Sequence, residues 1–142
     1  MRFFEVISPV LIATLAAAQR IQFGFPAEGT SIPAGSNLTI EIDRPDTLSA
    51  SKEVALVLGL QTCAEAPCPP PDSALGTTLY SGGFDPQFQI ESTGKPPHQN
   101  FTVFVPPTTP KGTAQLSAMH LSLIGAGPMP FMELKNITIN IV

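Results

Sequence analysis

The sequence predicts an all-β protein, a single immunoglobulin-like or fibronectin-like β-sandwich of about seven to eight strands behind an N-terminal signal peptide. Three observations predict it. Apolar and polar residues alternate with period two in several separate segments, as in strands buried on one face. Sixteen Pro and eleven Gly among 142 residues interrupt the chain too often for long helices. Hydrophobic residues still make up 43% of the chain, enough for one core in a chain of single-domain length.

Residues 1–18 read as an address. Arg2 precedes an apolar run from Val6 to Ala18 that ends in Ala16-Ala17-Ala18, the layout of a secretory leader. The run is short of the ~20 residues a membrane-crossing helix needs, and Pro9 lies within it. Cleavage after Ala18, or at a neighbouring bond, leaves residues 19–142 as the β-sandwich domain. The competing reading is an uncleaved anchor. Three N-x-S/T sequons, at Asn37, Asn100 and Asn136, support a secreted, extracellular chain and are its candidate N-glycosylation sites.

The strands follow in order. Ile21–Phe25 puts Ile21, Phe23 and Phe25 in register. Asn37–Asp43 buries Leu38, Ile40 and Ile42 and turns Asn37, Thr39, Glu41 and Asp43 outward. Glu53–Leu60 is continuously apolar and reads as buried on both sides. Leu75–Tyr80 and Phe88–Glu91 are weaker candidates. Asn100–Val105 buries Phe101, Val103 and Val105. Thr113–Ile124 changes apolar phase near Met119, which suggests a bulge there. Asn136–Ile141 buries Ile137, Ile139 and Ile141. All three sequons fall on the polar faces of these strands. Turns are expected at Pro33-Ala34-Gly35, Arg44-Pro45-Asp46, Ser81-Gly82-Gly83, Pro106–Gly112 and Gly125–Pro128.

Composition excludes some functions. Charged residues are only 13%, seven Lys+Arg against eleven Asp+Glu, with no basic cluster to displace counterions, so no nucleic-acid partner is expected. No stable membrane insertion is expected of the mature chain either. Cys63 and Cys68, the only thiols, enclose four residues and read most simply as a local disulfide, ahead of free thiols or metal ligands. The nucleophile elbow, the zinc-protease helix motif, the phosphate loop and the dinucleotide fingerprint are all missing from the sequence. His120, on a strand, reads as a hydrogen-bonded structural residue, and His98 as part of a polar loop. Glu41, Asp43 and Asp46 read as solubilising carboxylates rather than an acid–base pair. No enzyme activity, cofactor or metal site is expected. The candidate partner contacts are Phe84, Phe88 and His98, with Lys111 in the Pro106–Lys111 turn; the competing reading puts Phe84 and Phe88 in the core.

A series of short motifs, in order along the mature chain, resembles the necrosis-inducing secreted protein (Nis) family of fungal effectors. They are Ile32–Leu38, Glu53–Gly59, Leu75–Tyr80, Asn100–Pro106, Pro110–Leu116, Ser122–Ala126 and Asn136–Ile139. The Cys63–Pro71 stretch departs from the family's pattern. The resemblance implies a non-enzymatic effector from a plant-associated fungus that suppresses pattern-triggered immunity by binding and inhibiting immune receptor-associated kinases. Some members of the family also induce cell death in leaves. If the kinase is intracellular, the protein must also enter the host cell. The alternative is an adhesion or glycan-binding module of the fungal cell wall, disfavoured by the absence of Trp and the single Tyr.

Overall fold

The computed structural model describes residues 20–46, 50–64, 66–91 and 94–142; the leader read at 1–18 lies outside them. Eight strands form two sheets: β1 (Gln22–Phe25), β2 (Ser31–Ile32), β3 (Asn37–Asp43), β4 (Ser51–Thr62), β5 (Thr77–Gly82), β6 (His98–Phe104), β7 (Gly112–Ile124) and β8 (Met129–Ile141). The smaller sheet has the order β1-β3-β6 and the larger β2-β8-β7-β4-β5. The chain crosses between them repeatedly, so strands adjacent in sequence often lie in different sheets. All pairings are antiparallel except β2 with β8.

Leu38, Ile40, Ile42, Phe101 and Val103 of the smaller sheet meet Leu56, Leu58, Leu60, Leu116 and Ile139 of the larger in one buried cluster. Alternation explains the choice, since every second residue of each strand faces the partner sheet. Beyond β4, Cys63 and Cys68 are joined as a disulfide. The β7–β8 hairpin turns through residues 125–128, with Gly125 at a φ of 83°, a conformation glycine adopts without steric cost.

Several details differ from the sequence reading. Phe88–Glu91 forms no strand; only an isolated bridge, Gln87 to His98, holds that loop. β4 alternates instead of being buried on both sides, with Leu56, Leu58 and Leu60 inward and Val54 exposed. The bulge lies in β4, between Glu53 and Ala55, whereas β7 pairs with β8 without interruption. The phase change near Met119 has a different cause: Met119, Leu121 and Leu123 occupy the outer face, while the inner face continues as His120 and Ser122. β5 extends through Ser81 and Gly82, which were read as a turn, and β8 begins at Met129 instead of Asn136.

Leu58 is wholly buried in the middle of β4. Leu58→Ala is expected to lower unfolding free energy by about 2–5 kcal/mol. Replacing both cysteines by Ser is expected to lower it by roughly 2 kcal/mol, the value for so small a covalent loop. Urea denaturation of the purified variants checks both.

Candidate functional site

Two charged clusters and two apolar surfaces stand out. The first cluster is interior. The β4 bulge at Val54 reverses the strand's parity, so Glu53 faces inward beside Ser122 just as Leu56 faces inward beside His120. His120 is wholly buried on β7, and Glu133 lies opposite it on β8. The His120 ring is held from both sides, by Glu133 Oε1 at Nδ1, 3.0 Å away, and by Glu53 Oε2 at Nε2. Arg44, just beyond β3, donates from Nε to Glu53 Oε1 at 3.0 Å and from Nη2 to Ser51 at 3.0 Å. The Ile21 backbone N–H, just before β1, donates to Glu133 Oε1 at 2.8 Å.

The electrostatics follow from this geometry. Burial alone would depress the His120 pKa, but its bonds to Glu133 and then Glu53 outweigh that and raise it. Burial likewise pushes Glu53 up, but the His120 bond, the imidazolium charge and Arg44 together hold it below its ordinary value. Two cations and two anions then balance only when His120 is protonated. A His between two carboxylates resembles a proton-relay arrangement, but with the ring shut off from solvent no substrate reaches it. It fixes Glu53 and Glu133, the carboxylates that Arg44 and the Ile21 N–H reach from strand ends of the smaller sheet.

The second cluster lies on the outer face of the smaller sheet. Glu41 and Asp43 alternate onto that face of β3, and His98 of β6 pairs with Asp43. Oxygen atoms of both carboxylates and a ring nitrogen of His98 lie within 4.8 Å of one another. Lys95 Nζ sits 3.0 and 3.1 Å from the two Glu41 oxygens. Burial, then the close approach and negative charge of Glu41, push Asp43 up to about 6. Burial would raise Glu41 too, but Lys95 and the bond to Asp43 bring it down. These carboxylates were read as solubilising groups; Glu41 is in fact buried.

The apolar surfaces differ in origin. One is the segment Gly83–Glu91, where Phe88 is 64% and Ile90 98% exposed. The other is the outer face of the larger sheet, where Val57 pairs with Met119, Met119 with Leu134, and Leu121 with Met132. Met132 is exposed, as is the bulged Val54, and Met119, Leu121 and Leu134 are half-buried. The sequence reading missed this face, although the phase change near Met119 was its signal.

The four predicted contact residues do not converge. Phe84 belongs to the core, its ring packing on Phe101 and on His120 at centroid distances of 6.3 and 5.4 Å. His98 is buried at the start of β6, not in a polar loop. Phe88 and Lys111 are exposed. Asn37, Asn100 and Asn136 are all exposed. Among the described residues, no helix is long and apolar enough to cross a membrane.

His120 with a raised pKa stabilises the fold fully below its ordinary 6.5, and that contribution is lost as pH rises through the folded value. Glu53 with a lowered pKa contributes above 4.5 and loses its contribution as pH falls through the folded value. Asp43 has the opposite sign, adding stability below 3.8 that is gone by about 6, so it does not overlap the His120 window. Stability from chemical denaturation is therefore expected to fall as pH rises above 6.5, and His120→Gln to abolish that fall. Glu133→Ala, which strands His120 and the Ile21 N–H, is expected to cost about 3–5 kcal/mol.

Comparison with known families adds one match: the family model described as the Nis1 family aligns with residues 16–140. No curated protein is similar enough to the chain to count as a relative.

Proposed function

The chain belongs to the Nis1 family, and from that membership we propose that it is a secreted effector that suppresses plant pattern-triggered immunity by binding and inhibiting immune receptor-associated kinases. The match over residues 16–140 carries the reading, because it takes in β1 to β7 whole and all of β8 but its last residue. The disulfide is compatible with an extracellular protein. Action through a surface instead of a reaction centre is supported by the burial of His120, which closes the one imidazole of the interior cluster to solvent.

The two apolar surfaces are the contacts this function would use. Methionine side chains adapt to irregular partners, and β-sheet faces offer a broad area. The Phe88 and Ile90 tips suit a single pocket on the partner. Glycans on Asn37 and Asn100 would occupy the smaller sheet, and one on Asn136 the larger, so the part of the larger sheet near Met132 is left open.

Purified protein is expected to capture the cytosolic domain of a plant receptor-associated kinase and lower its autophosphorylation. Met132→Asp or Phe88→Asp is expected to weaken capture by at least about tenfold while leaving thermal stability unchanged, since both side chains are exposed. Loss with one variant and not the other locates the contact. No capture across several such kinases, with ectodomains tested alongside, would overturn the reading.

A further inference from the structure

We propose that Glu41, Asp43 and His98 form a binding site for a divalent transition-metal ion of the zinc class, on the outer face of the smaller sheet. Three observations carry it. The donor set is complete: two carboxylate oxygens and one imidazole nitrogen within 4.8 Å of one another. Tetrahedral zinc with bonds of about 2.0–2.1 Å places its donors roughly 3.3 Å apart, so side-chain rotations of about 1 Å close the site. A ring nitrogen among the donors selects zinc-like ions over calcium and magnesium, which prefer oxygen alone.

The second observation is the state of the donors. Asp43 Oδ1 is sealed from solvent and has no hydrogen-bond partner among the described residues. A buried carboxylate oxygen without a donor is costly unless a cation or proton satisfies it. His98 is only 4% exposed, and its Nδ1 lies 2.9 Å from the Pro96 carbonyl. That carbonyl can only accept, so Nδ1 donates to it and Nε2 is the ring nitrogen left to serve as a ligand. Metal-ligating histidines are commonly oriented in this way by a backbone carbonyl.

The third is Gly24, at the irregularity between Phe23 and Phe25 in β1. A methyl group there would collide with Glu41 Oε1 and stand 2.6 Å from Asp43 Oδ1. Oxygens of both carboxylates therefore converge beside this one position, and a larger residue there would make them shift.

Lys95 opposes the ion. Its ammonium occupies Glu41, but the side chain is 51% exposed, and exposed pairs of this kind are weak. Lys95 swings aside when the metal arrives. A groove lined by Phe88, Ile90, Lys95 and Asn100 opens next to the site, giving the ion an entry path and a place for water as a further ligand.

The test is zinc titration, by competition with a chromophoric chelator, of the protein as secreted by a eukaryotic host and without a histidine tag. The background is low: the cysteines are paired among the described residues, and the other histidine, His120, is wholly buried. One zinc ion per chain is expected, uncontested by millimolar calcium or magnesium. His98→Gln and Asp43→Asn are each expected to weaken binding by at least about tenfold. Lys95→Ala, a surface change that leaves the core intact, is expected to tighten binding several-fold. A Lys95 with a purely structural role would give no such gain. No saturable binding by the wild type, unchanged affinity in His98→Gln, or unchanged or weaker affinity in Lys95→Ala would each overturn the proposal. Kinase capture is not measured in any of these titrations, so the site stands or falls independently of the proposed function.

Discussion

His120 held between Glu53 and Glu133 is the constraint on which the sandwich depends. A sandwich needs its two sheets fixed in relative position, and apolar packing alone is tolerant of sliding because it is non-directional. Here Arg44 and the Ile21 N–H reach from the ends of β3 and β1 onto carboxylates of β4 and β8. Hydrogen bonds with fixed donors and acceptors set one geometry. The net energy of such a buried group of charges is modest, because desolvation opposes attraction, but removal of any one member leaves the others uncompensated. The network therefore specifies the arrangement more than it adds stability.

A single inserted residue makes this network possible. With regular pairing throughout β4, position 53 would point to the outer face, where a glutamate needs no partner. Val54 bulges out and reverses the parity, so Glu53 joins the inner face at the same end as Ser122, His120 and Glu133. The inner face of the larger sheet is thus apolar from Leu56 to Leu60 and polar toward Ser51. On β7, whose alternation is uninterrupted, His120 and Ser122 take the inner face and Met119, Leu121 and Leu123 the outer. The network inside and the methionine-rich surface outside therefore lie on opposite faces of the same stretch of β7.

Alternation made β3, β6 and the second half of β8 legible in the sequence, because each buries one clean row of apolar residues. The first half of β8 was hidden by Pro130, Glu133 and Lys135. Pro130 is tolerated because β8 pairs with β2 only at Asn140 and Ile141, leaving that side free of a ladder there. The β4 bulge left no local mark, since Glu53-Val54-Ala55 reads equally well as a regular strand. The acid–imidazole cluster was invisible for a different reason. His98 lies more than fifty residues from Asp43, and only the β3–β6 register makes them neighbours.

The two charged clusters use similar groups and differ in what surrounds them. In the interior, Arg44 and the His120 imidazolium match Glu53 and Glu133, and the His120 ring is closed to solvent. On the smaller sheet, two carboxylates lie beside one half-exposed ammonium and an imidazole whose Nδ1 donates to the Pro96 carbonyl. Of these two carboxylates only Glu41 has a salt-bridge partner among the described residues, so Asp43 stands without one next to an open groove. Balanced charge without access holds a fold together, whereas unbalanced charge with access attracts a cation from solution. The same residue types thus take a structural role in one place and a binding role in the other, and the difference follows from burial and charge count instead of from any motif.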